Sequence, residues 1–182
     1  QIGALKGPGQ PPNNLLDERD RIVSDIGKLI NVTTQPAEDG SLGVFIGAGQ
    51  NLVLGSVVNS LKIVADTFDP AKAQLALRDG ATDRLISASS FSGGAISGLL
   101  RFQNEDLSEA NRLLGQMATA ISGALNEQQA LGLDLGQPAG RGAPILATSG
   151  ARVLSSTSNA GNAQLTASVS EPAQVQASDY EL

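Results

Sequence analysis

Between Asn104 and Gly136, apolar residues recur in steps of three and four: Leu107, Ala110, Leu114, Met117, Ile121, Ala124 and Leu131. Gln128 is the one polar residue in that register. This is the a/d pattern of a helix packed lengthwise on other helices. Large and small side chains alternate along the seam, so a partner helix can approach closely at Ala110 and Ala124. The spacing predicts one long helix, capped at Asn104 or at Ser108. Gly132 is expected to end it as a left-handed C′ residue, with Asp134 belonging to the same stop. Leu114, Met117 and Ile121 are expected to be buried against an earlier helix. Truncating Leu114 to Ala would then cost about 2–5 kcal/mol, as for other buried large-to-small changes.

That earlier helix is predicted from Asn14, as N-cap, to about Ile30. Leu15, Leu16, Ile22, Val23, Ile26, Leu29 and Ile30 make its apolar face, and Asp17 and Glu18 fall in its first turns. Gln1 to Lys6 reads as the last turns of another helix, broken by the Gly and Pro residues of 7–12. From Asn31 the period changes to two. Strands are predicted at Asn31–Gln35, Ser41–Ile46 and Leu52–Leu54, separated by the turn signals Glu38-Asp39-Gly40 and Gly47-Ala48-Gly49-Gln50-Asn51. Leu61–Ala65 and Ala73–Arg78 add two more, although Ala71 to Leu77 also suits a helical turn. A short helix is expected at Ile96–Gln103. Beyond Gln137, Pro138 to Pro144 has the composition of a linker. The polar remainder offers one possible strand, Gln164 to Val169. The whole predicts an α+β chain with long packed helices and a small antiparallel β-hairpin or meander.

Composition narrows the chemistry. Histidine and cysteine are both absent from the 182 residues. Imidazole and thiolate metal ligands are therefore excluded, and so are Ser-His and Cys-His catalysis. A net charge of −6 leaves no basic surplus for phosphate, which argues against nucleic acid. No apolar run is long enough to cross a bilayer, so no membrane partner is expected. Gln1 is not an initiator residue, and with the ending at Tyr180-Glu181-Leu182 this suggests a piece of a longer protein.

Five short stretches invite a chemical reading. Gly47-Ala48-Gly49 begins like a dinucleotide fingerprint, but Leu52 stands where the third glycine belongs and a strand follows, not a helix. A hairpin loop needing positive φ is the better account. Glu105-Asp106 resembles an acid–base pair, yet at the start of a helix these carboxylates are expected to meet the free N–H groups. Asp39-Gly40 and Asp79-Gly80 are turn dipeptides without the acidic spacing of a calcium loop. Asp17 to Arg21 is a solvated charged face. No catalytic residue, cofactor site or metal site is expected.

Two stretches in combination carry a family resemblance. Asn13 to Val32, NNLLDERDRIVSDIGKLINV, followed by Asp39 to Gly55, DGSLGVFIGAGQNLVLG, resembles the flagellar hook-associated protein 1 family, which forms the hook–filament junction of bacterial flagella. Ser92 to Phe102 (SGGAISGLLRF) and Ala124 to Gly136 (ALNEQQALGLDLG) match later parts of the same pattern in order. Ala177 to Leu182 (ASDYEL) resembles the strand that opens an outer domain. Gln129 stands where the family often has His, and Ser108-Glu109 where it often has Asp-Pro; the second change leaves the helix start less sharply defined.

The resemblance implies a structural, non-enzymatic subunit, exported to the outside of the cell by the flagellar type III apparatus. Residues 1–140 would be the central part of a rod-like helical domain, and 141–182 the linker and opening strand of a β-rich outer domain. Implied partners are copies of itself in a ring, the hook protein, the adjacent junction protein and an export chaperone acting through a C-terminal segment. Another flagellar axial protein is the nearest competing assignment, and a secreted adhesion or binding module the alternative from another class.

Overall fold

The computed structural model of the chain describes residues 13–147 and 149–180. The elements expected at Gln1–Lys6 and Gly7–Pro12, and the last two residues of the Ala177–Leu182 strand, lie outside them. Contacts divide the chain into two compact units, Gln1–Gln103 and Asn104–Leu182.

The first unit opens with α1, Asn13–Leu29. Asn13 and Asn14 are already helical, so Asn14 is not the cap and Asp17 falls beyond the first turn. Two small antiparallel sheets follow. β1 (Val32–Pro36), β2 (Leu42–Ile46), β3 (Gln50–Leu54) and β4 (Val57–Val58) form the first in that order. β5 (Ser60–Ala65), β6 (Ala73–Asp79) and β7 (Thr82–Ile86) form the second. The five strands predicted between Asn31 and Arg78 are present. The helical alternative for Ala71 to Leu77 is not, because β6 is the central strand of its sheet, with Leu75, Ala76 and Leu77 all buried.

β4 and β7 were not expected. β4 is two residues long, too short for a period to show. β7 reads Thr-Asp-Arg-Leu-Ile, and only Ile86 is buried. An edge strand exposed over most of its length carries no apolar alternation to detect.

The core of this unit joins both sheets to the helix ends. Ile30, Ile46, Leu75, Leu77, Ile86, Phe91 and Leu100 form one buried cluster, with Ile26, Val32, Leu52, Leu61 and Ile96 packed on its edge. α2, Gly94–Arg101, contributes Leu100 and packs on α1.

A glycine joint makes that packing possible. Gly94 has φ +81°, and a Cβ there would lie 2.5 Å from the Leu29 carbonyl carbon. Asn31 Nδ2 donates to Ser92 Oγ at 3.1 Å beside it. Gly47, at φ +55°, sits against Phe91, which a Cβ would approach to 3.4 Å. The hairpin-loop reading of Gly47-Ala48-Gly49 therefore holds: both glycines have positive φ, and the loop joins β2 to β3. Gly40 and Gly80 likewise occupy turns with positive φ.

Helix α2 does not stop. It passes through a π turn at Phe102–Asp106 directly into α3, Leu107–Ala130, a continuous helical run of 37 residues. No cap forms at Asn104 or Ser108, since both are inside the run. Glu105 and Asp106 consequently do not meet free N–H groups at a helix start; they lie in the π turn. The π turn gives Gln103 a specific task. Its side-chain amide accepts from Ala73 N–H and donates to Ala73 O, both at 3.0 Å, pairing with the first residue of β6 as a neighbouring strand would.

In the second unit, α3 ends with Leu131 in right-handed conformation, and Gly132 is not left-handed as expected. The chain turns back instead through a closed loop. Leu133 bridges Arg141, and Gly142 N–H donates to Gly132 O at 2.9 Å. Asp134 ties this loop by accepting from the Gly140 and Gly136 amides at 2.8 and 2.9 Å, which hold its carboxyl below the usual aspartate range. Gln164 to Val169 is not a strand; among the described residues beyond 144 the regular element is a single 3-10 turn, Pro172–Gln174. An isolated alternating segment with no strand beside it has nothing to pair its backbone with.

Candidate interaction surface

The predicted seam of α3 exists, and it faces solvent. Leu114, Met117 and Ile121 are 64%, 59% and 56% exposed. Leu107, Leu125 and Leu131 flank them, also exposed. The expectation that these residues are buried is overturned. At a rise of 1.5 Å per residue, Leu107 to Leu131 makes an open apolar stripe about 36 Å long.

What α3 buries is its other face. Arg112, Gln116, Thr119, Ser122, Gly123, Asn126 and Ala130 are buried or half-buried, at the spacing of one helical stripe. These residues are polar or small, and the second unit's own tail lies on them. Asn126 holds the outgoing chain: its Oδ1 accepts from Ile145 and Leu146 N–H at 2.9 and 3.0 Å, and its Nδ2 donates to Leu146 O at 2.8 Å. Pro172 of the returning chain presses on Gly123, where any Cβ would overlap it. Gln116 Nε2 donates to Val175 O at 2.7 Å, and Arg112 pairs with Asp179 at 2.8 Å. Ser122 Oγ is turned back to Ala118 O at 2.7 Å, so its hydroxyl is satisfied within the helix.

Sequence periodicity thus locates the seam but assigns it the wrong side. The pattern shows which side chains avoid water; it does not say what covers them in this chain. Gly123, in the interior of a long helix where glycine is unfavourable, was the available signal for a close approach. Asn126 and Gln103 carried no signal, because a polar residue on a helix looks alike whether it is solvated or bound to backbone.

Chemistry remains sparse. Among the described residues no group of three acidic side chains is placed to hold a metal ion, and no helix is long and apolar enough to cross a membrane. The displaced carboxylates are structural. Arg78 chiefly holds Asp83 low from 2.6 Å. Asp66 is held low first by the Asp69 amide, then by the Phe68 amide, Lys72 and Gln74, against some desolvation. Both lie on loops or edge strands of the small sheets.

Residues 1–144 match the model of the flagellar hook-associated protein FlgK helical domain. The chain belongs to the FlgK family. It is 32% identical to flagellar hook-associated protein 1 of Escherichia coli K12, over the whole of this chain and 34% of that protein. It is 33% identical to the protein of the same name from Salmonella typhimurium, over 97% of this chain and 32% of that one. The chain thus spans about a third of the length of the curated relatives it matches. Among solved structures it resembles the flagellar hook junction protein FlgK from Burkholderia pseudomallei, with a TM-score of 0.82 and 31% identity over 92% of this chain and 31% of that one. FlgK proteins are structural parts of the flagellum, outside the cell, and not enzymes.

Proposed function

We propose that the full-length protein is the structural subunit that joins hook to filament in the bacterial flagellum. The observation carrying this is the open seam of α3 on a chain whose first 144 residues match the FlgK helical domain. A stripe of large apolar side chains costs solubility unless it is covered. A lengthwise helical seam fits the packing of other helices, and lateral packing of rods joins subunits without any reactive group. Its partners are copies of itself in a ring, the hook protein, the adjacent junction protein and, before export, a chaperone binding a C-terminal segment. In this reading residues 1–140 belong to the rod-like helical domain, and 141–182 lead into a β-rich outer domain.

Deleting the gene tests the assignment. Cells should retain hooks, release flagellin monomers into the medium and fail to swim. Normal filaments in the deletion strain, or loss of the hooks, would refute a junction role and favour an adhesion module.

A further inference from the structure

The tail contacts on α3 differ in kind from the rest of the molecule. We propose that residues 172–179 form a strap that opens and closes on the polar stripe of α3 while the helix itself stays intact. The stripe is a track for an extended chain: Arg112, Gln116, Gly123 and Asn126 lie at i, i+4, i+11 and i+14 on one side of the helix. Three of them hold the strap, through the Asp179 carboxylate, the Val175 carbonyl and the Pro172 ring. The fourth, Asn126, holds the chain before it leaves, at Ile145 and Leu146. The excursion 147–171 therefore leaves and returns within one turn of α3. Its outgoing end has three hydrogen bonds to a single amide side chain. Its returning end runs into the strap, where Pro172 lies against Gly123.

The strap's own residues are mostly exposed. Pro172, Val175 and Ala177 are half-buried, and the other residues of 171–180 are exposed. Little apolar surface is lost when it lifts, and regions with few buried contacts open at far lower free energy than the whole domain. The Arg112–Asp179 pair leaves Asp179 75% exposed, so salt screens it readily. The helix has no corresponding need of the strap, because its own backbone bonds continue through Gly123. Opening gives α3 a second surface, distinct from the seam, that is covered or bare according to conditions. This inference does not depend on the junction assignment.

The absence of cysteine allows a direct test. Val175→Cys places a single thiol at a half-buried position of the strap, and its labelling by a disulfide reagent reports opening. Labelling should be slow relative to a free thiol. It should accelerate about tenfold or more when Gly123→Leu removes the seat of Pro172, with far-UV circular dichroism unchanged, since leucine favours helix. Raising salt from about 0.05 to about 0.5 M should accelerate it as well, and Arg112→Ala should abolish that salt dependence. A labelling rate unaffected by Gly123→Leu, or already at the free-thiol rate in the parent, overturns the proposal. So does a loss of helix signal that accompanies the gain in labelling, because the strap would then be integral to the helix.

Discussion

At the scale of single residues, glycines show how position decides cost. Gly94 and Gly80 both have positive φ, but a Cβ at 94 would enter the Leu29–Ile30 backbone, while at 80 it would meet open space. Gly80→Ala should therefore cost only the left-handed strain, about 1–2 kcal/mol. Gly94→Ala adds displacement of α1 from α2 and should cost more than about 3 kcal/mol. Urea unfolding of the two variants checks the order; equal costs would show that the α1–α2 joint yields freely. Leu114 gives the opposite lesson. Because its side chain is exposed, Leu114→Ala in this chain should change stability by less than about 0.5 kcal/mol, not the 2–5 kcal/mol of a buried leucine. A larger loss would mean that the seam is covered within the chain.

At the scale of elements, side-chain amides and carboxylates close what the ladders leave open. Gln103 binds both backbone groups of Ala73, so Gln103→Leu removes two hydrogen bonds at the start of β6. About 1–3 kcal/mol should be lost, with faster hydrogen exchange at Ala73 and protection kept at Leu75 and Leu77 in the strand centre. Asp66 organises the β5–β6 loop, accepting from Phe68 and Asp69 N–H at 2.8 and 2.9 Å. Its folded pKa lies below the ordinary 3.8. The unfolded chain thus binds the proton first as pH falls. The contribution of the carboxylate is full above about 3.8 and is lost as pH drops through the lower folded value. Asp66→Asn should accordingly be less stable than the parent near about pH 6, and the gap should narrow near about pH 3. A gap that stays constant between those two pH values would show that the carboxylate charge plays no part.

At the scale of the whole molecule, the buried cluster and the open seam fall in different units. The buried cluster lies in the first unit, drawn from α1, both sheets, Phe91 and α2. The large apolar side chains of the α3 seam are exposed. Charging the seam by Leu114→Glu with Ile121→Glu should therefore leave this chain folded by circular dichroism. In the full-length protein the same pair should block filament attachment and motility while hooks persist. Normal swimming by that double variant would remove the seam from the assembly surface.

Periodicity and turn chemistry determined most of the elements from sequence alone. The seam heptads of α3, the strands β1, β2, β3, β5 and β6, and the glycine turns at 40, 47 and 80 all follow from local rules, because side-chain period and positive φ are local properties. Asn31 meets Ser92, Gly94 meets Leu29, and Gly47 meets Phe91, so three separate stretches are constrained by one joint. Tertiary structure alone decided what no window of sequence contains. It ran α2 into α3 where a cap was expected, since the α-helical pattern continues through 102–106 once a π turn accommodates it. It left β7 as an exposed edge and Gln164–Val169 without a partner strand. Above all it chose which side of α3 the tail covers. Hydrophobicity marks a face for burial, but burial requires a matching surface, and the tail offers backbone carbonyls, a proline ring and a carboxylate. Those suit the stripe of Arg112, Gln116, Gly123 and Asn126, and so the polar side is covered and the apolar side is left open.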